Sequence, residues 1–232
     1  VSNQKLRQLQ DDLWVIDHPF QVGGLHLGTR TTLIKTADGI WVHSPGPLVG
    51  GIKEEIESLG PVAHIVAPNT MHYLYFEENK LAFPAATGWA GRGLRKKAPG
   101  LPADRHLEEG EHWGGPDLIA LNVGGIPMLQ ETVFYHATSR TLVVTDLVFN
   151  LRHSDHWPTR VAMKLNGAYG KLTPSRLFRH VIASDKRALG NSIARIQQWD
   201  IERIIMGHGD ILPQGGSQAL RKAFDWLSPA RS

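Results

Sequence analysis

The sequence predicts an α/β protein in which strands and helices succeed one another in layers, and three consecutive stretches predict it. TTLIKTADGIWVHSPG (31–46) holds two apolar, β-branched runs around Asp38-Gly39, residues that tolerate the positive φ of a tight hairpin turn. Gly50-Gly51 then opens IKEEIESLG, whose Ile52, Ile56 and Leu59 share one face of a short helix closed by Gly60. HIVAP (64–68) follows as a buried strand, completing the strand, helix, strand order of an α/β layer.

The remaining elements follow the same signals. LWVIDHPF (13–20) reads as a strand before the hairpin. From Ala85 to Gly115, Gly, Pro and basic residues crowd the chain, including GRGLRKKAPGLP (91–102), and predict a long irregular excursion. Its Arg92, Arg95, Lys96 and Lys97 either attract an anionic ligand or form a solvated loop. DLIALNVGG (117–125) and QETVFYHATSRTLVVTDLVFN (130–150) are β-rich, the second around a polar HATSR turn. Thr173-Pro174-Ser175 starts a helix. SDKRALGNSIARIQQW (184–199) is another, with Leu189, Ile193 and Ile196 on one face and Ser184 as N-cap. ERIIMGHG is the last strand and SQALRKAFDWL the last helix.

Composition narrows the function. With 232 residues, 41% apolar and 20% charged, the chain suffices for a sizeable core. A net charge of +3 is too slight to argue a nucleic-acid partner. The absence of cysteine excludes disulfides, thiolate metal sites and cysteine nucleophiles together. The opening VSNQKLRQLQ has neither a basic n-region nor an apolar h-region, although a missing initiator Met leaves room for a removed leader. No apolar run approaches the roughly 20 residues that span a bilayer, so a soluble, cytoplasmic protein without a membrane partner is expected.

Twelve histidines are many for this length, and three apolar strands stop at polar residues: His72 after IVAP, Asp146 after TLVVT, His208 after RIIMG. Strands ending together at a sheet edge aim imidazoles and carboxylates at one point. Each residue also has a plain structural alternative. His208 in MGHGD can be a turn histidine, Asp146 a polar strand end or helix cap, and His72 a cap for the segment after it.

These same segments carry a resemblance. The hairpin TTLIKTADGIWVHSPGPL, the strand and break IVAPNTMHYLYFEENKLAFPAA, the strand TLVVTDLVFN and the terminal IIMGHGD resemble, in order, the metallo-β-lactamase superfamily, and more closely its divergent DUF4336 branch. The resemblance implies a single domain over 1–232, a four-layer αββα sandwich of two mixed sheets flanked by helices, with a metal site at one sheet edge. It maps Asp146 onto the superfamily's bridging Asp and His208 onto its last His.

The superfamily's His-x-His-x-Asp-His loop is not reproduced. With Asn69 at the first His, Met71, Tyr73 and Leu74 stand where two His and one Asp would, and His72 is one place out of register. Glu131 lies near the position of the intermediate His. A two-zinc site needs about six to eight donors, so the resemblance implies one divalent metal at most. His72, Asp146 and His208, with Glu131 or water, are its ligands, and Zn, Fe or Mn suits that donor mixture; a site with no metal is the alternative. Asp146 and His72 are the catalytic candidates.

NLRHSDHWP (150–158) is a rival, because His153, Asp155 and His156 spell His-x-Asp-His, although Asn150, Ser154 and Pro158 mark a surface loop. His43 stands where the superfamily keeps an acidic turn residue and is placed at the site mouth. No nucleophile elbow or phosphate loop is present, and GWAGRG (88–93) lacks the strand and helix of a dinucleotide site. Three readings follow: a hydrolase with a reduced metal site acting on an ester, lactone, thioester or phosphoester; a non-catalytic small-molecule binder walled by Tyr73, Tyr75, Trp89 and Trp113; and, disfavoured by the charge, a nucleic-acid processor using Arg92 to Lys97.

Overall fold

The computed structural model describes residues 5–108 and 117–227. Its larger sheet begins with β1 (Leu6–Gln10), β2 (Leu13–His18), β5 (Thr29–Thr36) and β6 (Gly39–His43), all antiparallel neighbours. Between β2 and β5 a small hairpin, β3 (Gln21–Val22) and β4 (Leu25–His26), stands apart from this sheet. Helix α1 (Ile52–Leu59) then returns the chain so that β7 (Val62–Ala67) lies parallel to β6. After α2 (Phe76–Ala82), β8 (Thr87–Ala90) adds in parallel, and after α3 (Leu94–Lys97) so does β9 (Arg105–His106). The second sheet has β10 (Leu118–Asn122), β11 (Thr132–His136) and β12 (Thr141–Val143) antiparallel in turn. Following α4 (Trp157–Leu165) and α5 (Lys186–Ile196), β13 (Arg203–Ile205) lies parallel to β12, and α6 (Gly216–Ala223) closes the order.

Strand alternation makes the layers. Ile34 and Trp41 face the other sheet, while their neighbours Leu33, Ile40 and Val42 face outward, as the two-residue period of a strand requires. Val15, Trp41 and Val66 pack between the sheets against Phe134, Val143 and Ile205. Outside the larger sheet lie Ile52 and Ile56 of α1, Phe76 of α2 and Leu94 of α3. Leu189, Ile193 and Ile196 of α5, with Leu220 of α6, cover the smaller sheet. The result is the αββα sandwich of two mixed sheets.

Three local readings differ from the structure. Asp38-Gly39 is not the turn: Ala37-Asp38 is, with Thr36 paired to Gly39 as the first residue of β6. Gly39 has φ 134, and a Cβ there would collide with the Pro61 carbonyl, which accepts from the Ile40 amide at 2.8 Å. Asp185, not Ser184, caps α5, its Oδ1 accepting from the amides of Arg187 and Ala188 at 3.0 and 2.9 Å. The excursion of 85–115 carries β8, α3 and β9, because Trp89, Ala90 and Leu94 have a buried sheet edge to pack on. As read from the sequence, Thr173-Pro174-Ser175 opens a short helical segment, which ends as a π-type turn over Phe178–Ile182. Among the described residues no helix is long and apolar enough to cross a membrane.

Candidate metal centre

Parallel neighbours finish at the same edge of a sheet, and this is what assembles the site. Ser44 follows β6, Asn69 and His72 follow its parallel neighbour β7, Asp146 follows β12, and His208 follows its parallel neighbour β13. Backbone bonds across the sandwich join the two edges here: the Thr132 amide donates to the Pro68 carbonyl and the Thr70 amide to the Leu129 carbonyl, both at 3.0 Å.

His72, Asp146 and His208 converge, with one donor atom of each within 4.8 Å of the others. Nε2 of His72 stands 3.3 Å from Asp146 Oδ2, and Nε2 of His208 stands 3.3 Å from Oδ1. Charge-assisted hydrogen bonds are strongest at about 2.7–2.9 Å, so these two contacts are at the long, weak end of that kind. The two imidazoles approach different oxygens of the one carboxylate, so that a nitrogen, a nitrogen and a carboxylate oxygen face a common point.

The outer nitrogens of both rings are held. Nδ1 of His208 lies 2.6 Å from the Gly28 carbonyl oxygen. A carbonyl only accepts, so Nδ1 carries the hydrogen and Nε2 is left to face Asp146. Phe149 stacks on this ring with centroids 5.5 Å apart. Nδ1 of His72 is 2.7 Å from the hydroxyl of Ser44, a residue at φ 52. Gly207 leaves room for the His72 ring, since a Cβ there would be 2.8 Å from Cε1.

Asn69, the residue at the Pro-Asn break, organises the trio, although the sequence offered it only as the place of a missing His. Its Oδ1 accepts from the amides of Met71 and His72 at 2.7 and 2.9 Å, fixing the turn that presents His72. Its Nδ2 donates to Asp146 Oδ2 at 2.9 Å and to Thr145 Oγ1 at 2.8 Å.

Glu131 stands behind the trio rather than in it. Its Oε1 accepts from the Thr145 amide at 2.6 Å and its Oε2 from the Asp146 amide at 2.9 Å. Burial, joined by the charge of Asp146, pushes its carboxyl up to about 7, against the pull of those amides. Burial also opposes the ionised form of Asp146, yet the charge of His72 and the bonds from His208 and His72 outweigh it and hold this carboxyl well below the usual range. For His208, burial favours the neutral ring, but bonding to Asp146 raises it overall.

The other candidates lie elsewhere. His43 is buried between Trp41 and Phe134, not at the mouth, and burial, with the charge of His72, lowers it to about 3. His156 precedes α4, its Nδ1 2.9 Å from Thr159 Oγ1 and its ring stacked on His26 at 3.9 Å. His153 and Asp155 are exposed, and among the described residues this run forms no cluster of metal-ligating atoms. Trp89 is buried between the sheets, donating to His64 Nδ1 at 3.2 Å. Trp113 lies outside the described residues. Tyr73 and Tyr75 do line the cleft, a cavity of about 500 Å³ that opens onto the trio.

No protein-family model matches the chain, and no curated protein does. Solved structures do match. A metallo-β-lactamase from Pontibacter korlensis is 13% identical with a TM-score of 0.68, over 97% of this chain and 98% of its own. The metallo-β-lactamase FIM-1 from Pseudomonas aeruginosa, in its mono-zinc form, is 12% identical with a TM-score of 0.67, over 97% of each chain. The DIM-1 metallo-β-lactamase is 14% identical with a TM-score of 0.64, over 98% of this chain and 99% of its own. This chain has the metallo-β-lactamase fold. At such identities the likeness carries the fold alone. What this chain does within the metallo-β-lactamase fold rests on its own residues, and the narrower DUF4336 resemblance rests on the sequence segments.

Proposed function

We propose that the protein is a hydrolase that uses one divalent ion, Zn, Fe or Mn, held by His72, Asp146 and His208, to cleave an ester, lactone, thioester or phosphoester. The observation that carries this reading is the bond from His208 Nδ1 to the Gly28 carbonyl. That bond selects the tautomer whose Nε2 lone pair faces the other two donors, the arrangement by which outer partners orient ligating histidines. When bound, the ion supplies Lewis acidity toward water and toward the oxygen of the scissile group.

The chain's own residues do the rest. Asp146 stays ionised at neutral pH because its imidazole neighbours outweigh its burial, so it serves as a donor and as a proton acceptor beside the cleft. His72, steadied by Ser44 and by the Asn69 turn, presents Nε2 to the same point. Glu131 positions Asp146 by gripping its amide. Among the described residues three donors converge, which suits one ion rather than two.

The test is turnover of chromogenic esters, a lactone, a thioester and a phosphodiester by protein loaded with one equivalent of each metal. The expected result is hydrolysis of at least one, abolished by chelation and reduced at least ~100-fold in Asp146→Asn. A loaded wild type that turns over none of them, while still binding small molecules in the cleft, makes the protein a non-catalytic binder.

A further inference from the structure

We infer that the cavity takes an uncharged apolar chain, so that the substrate is an acyl compound whose carbonyl rests at the His72, Asp146 and His208 trio; the substrate assignment rests on the hydrolase reading, while the chain-binding site stands on the cavity itself. The cavity volume of about 500 Å³ is in the range of small-molecule sites, roughly 300–1,000 Å³. Away from the trio its wall comes from three separate parts of the fold. The segment around the β3–β4 hairpin supplies Phe20, Leu25 and Leu27, α4 supplies Met163, and the π-type turn supplies Phe178 and Ile182.

Two of the polar side chains on that wall, Asn166 and Ser175, bond the protein's own backbone. Oδ1 of Asn166 accepts from the Leu177 amide at 3.0 Å, and Oγ of Ser175 accepts from the Phe178 amide at 3.0 Å. Lys97, the one lysine that lines the cavity among the described residues, donates to the Thr70 carbonyl at 2.6 Å and lies over the Tyr73 ring at 5.6 Å. A charged or strongly polar group placed here would give up its hydration for partners that are already engaged. An alkyl chain would lose nothing and would cover apolar side chains.

The mouth points the same way. Val22 and Leu177, both cavity-lining, are 51% and 54% exposed. One belongs to the hairpin and the other precedes the π-type turn, and an apolar chain that reaches them from the trio takes both out of water. Hydrophobic transfer then sets the selectivity, because each buried methylene adds about fourfold to binding.

The test uses the whole chain loaded with one equivalent of zinc and two series of matched length. p-Nitrophenyl esters from propionate to heptanoate are read as kcat/KM. Uncleavable methyl ketones from butanone to octanone are read as a dissociation constant by calorimetry. Both series are expected to improve with chain length, by up to about fourfold per methylene. Leu25→Glu, on the small hairpin outside both main sheets, is expected to flatten both slopes. Ketone binding that is flat or weakens with length overturns the inference, whatever the esters do. Ketone binding that strengthens with length while no ester turns over sustains the apolar-chain site and overturns the acyl-ester substrate assignment instead.

Discussion

Asn69 holds Asp146 side chain to side chain, Nδ2 to Oδ2 at 2.9 Å, while its carbonyl oxygen accepts from the His72 amide at 2.9 Å. One carboxamide therefore fixes two of the three convergent donors. Asn69→Ala is expected to weaken zinc binding about 10–100-fold, measured by competition with a chromogenic chelator. Asn69→Asp keeps the acceptor for the loop amides but sets a second carboxylate against Asp146, so it should not restore stability in the metal-free protein. Wild-type zinc affinity in Asn69→Ala would remove this residue from the account.

Ser44 should act on the metal through His72 alone. Ser44→Ala removes the 2.7 Å partner of Nδ1 and leaves a residue with the same Cβ at φ 52. The expected outcome is about tenfold weaker zinc binding with unchanged thermal unfolding of the metal-free protein. A large loss of stability with unchanged affinity would make Ser44 a structural residue only.

Glu131 is expected to matter for stability before it matters for metal. Both of its oxygens accept from backbone amides, those of Thr145 and Asp146. Glu131→Gln can satisfy only one of them with its single carbonyl and turns an NH2 group on the other. Urea denaturation should show a loss of about 1–3 kcal/mol, the cost of one buried unpaired donor. A variant as stable as wild type would show that this amide clamp is dispensable.

Acid should destabilise the fold through buried neutral histidines. Burial lowers His18 to about 4, partly offset by the charge of Asp17, and its Nε2 sits 2.9 Å from Thr31 Oγ1. In the unfolded chain the ring titrates near ~6.5. Between those two values the unfolded state binds the proton and the folded state does not. The contribution of His18 is therefore complete above about pH 6.5 and is lost progressively as the pH falls toward 4, by on the order of 3 kcal/mol. His43, lowered to about 3, acts in the same direction. Urea midpoints measured from about pH 7 to about pH 4 should fall less steeply in His18→Gln than in wild type; parallel slopes would contradict the assignment.

The strands were legible because their buried residues come as short apolar runs, and the trio because each run stops at a chemically useful side chain. The parallel pairs β6–β7 and β12–β13 turn that sequence pattern into convergence in space. Asn69 was not legible as an organiser, since its partner Asp146 is 77 residues away and only the fold relates them. Glu131 read as a ligand by its place in the chain, whereas the amides after β12 take up its carboxylate. Gly and Pro between 85 and 115 hid β8 and β9, which add in turn to β7 and to β8 rather than declaring themselves by composition. His153, Asp155 and His156 imitate a metal loop, but they lead into α4, which Pro158 starts within its first turn.

The most direct measurement is a zinc titration of metal-free protein, with bound ion counted per chain for wild type and His208→Ala. One ion per wild-type chain is expected, with binding at least ~10-fold weaker in the variant because one of the three converging donors is gone. Two tightly held ions per chain, or the same binding with and without His208, would contradict it.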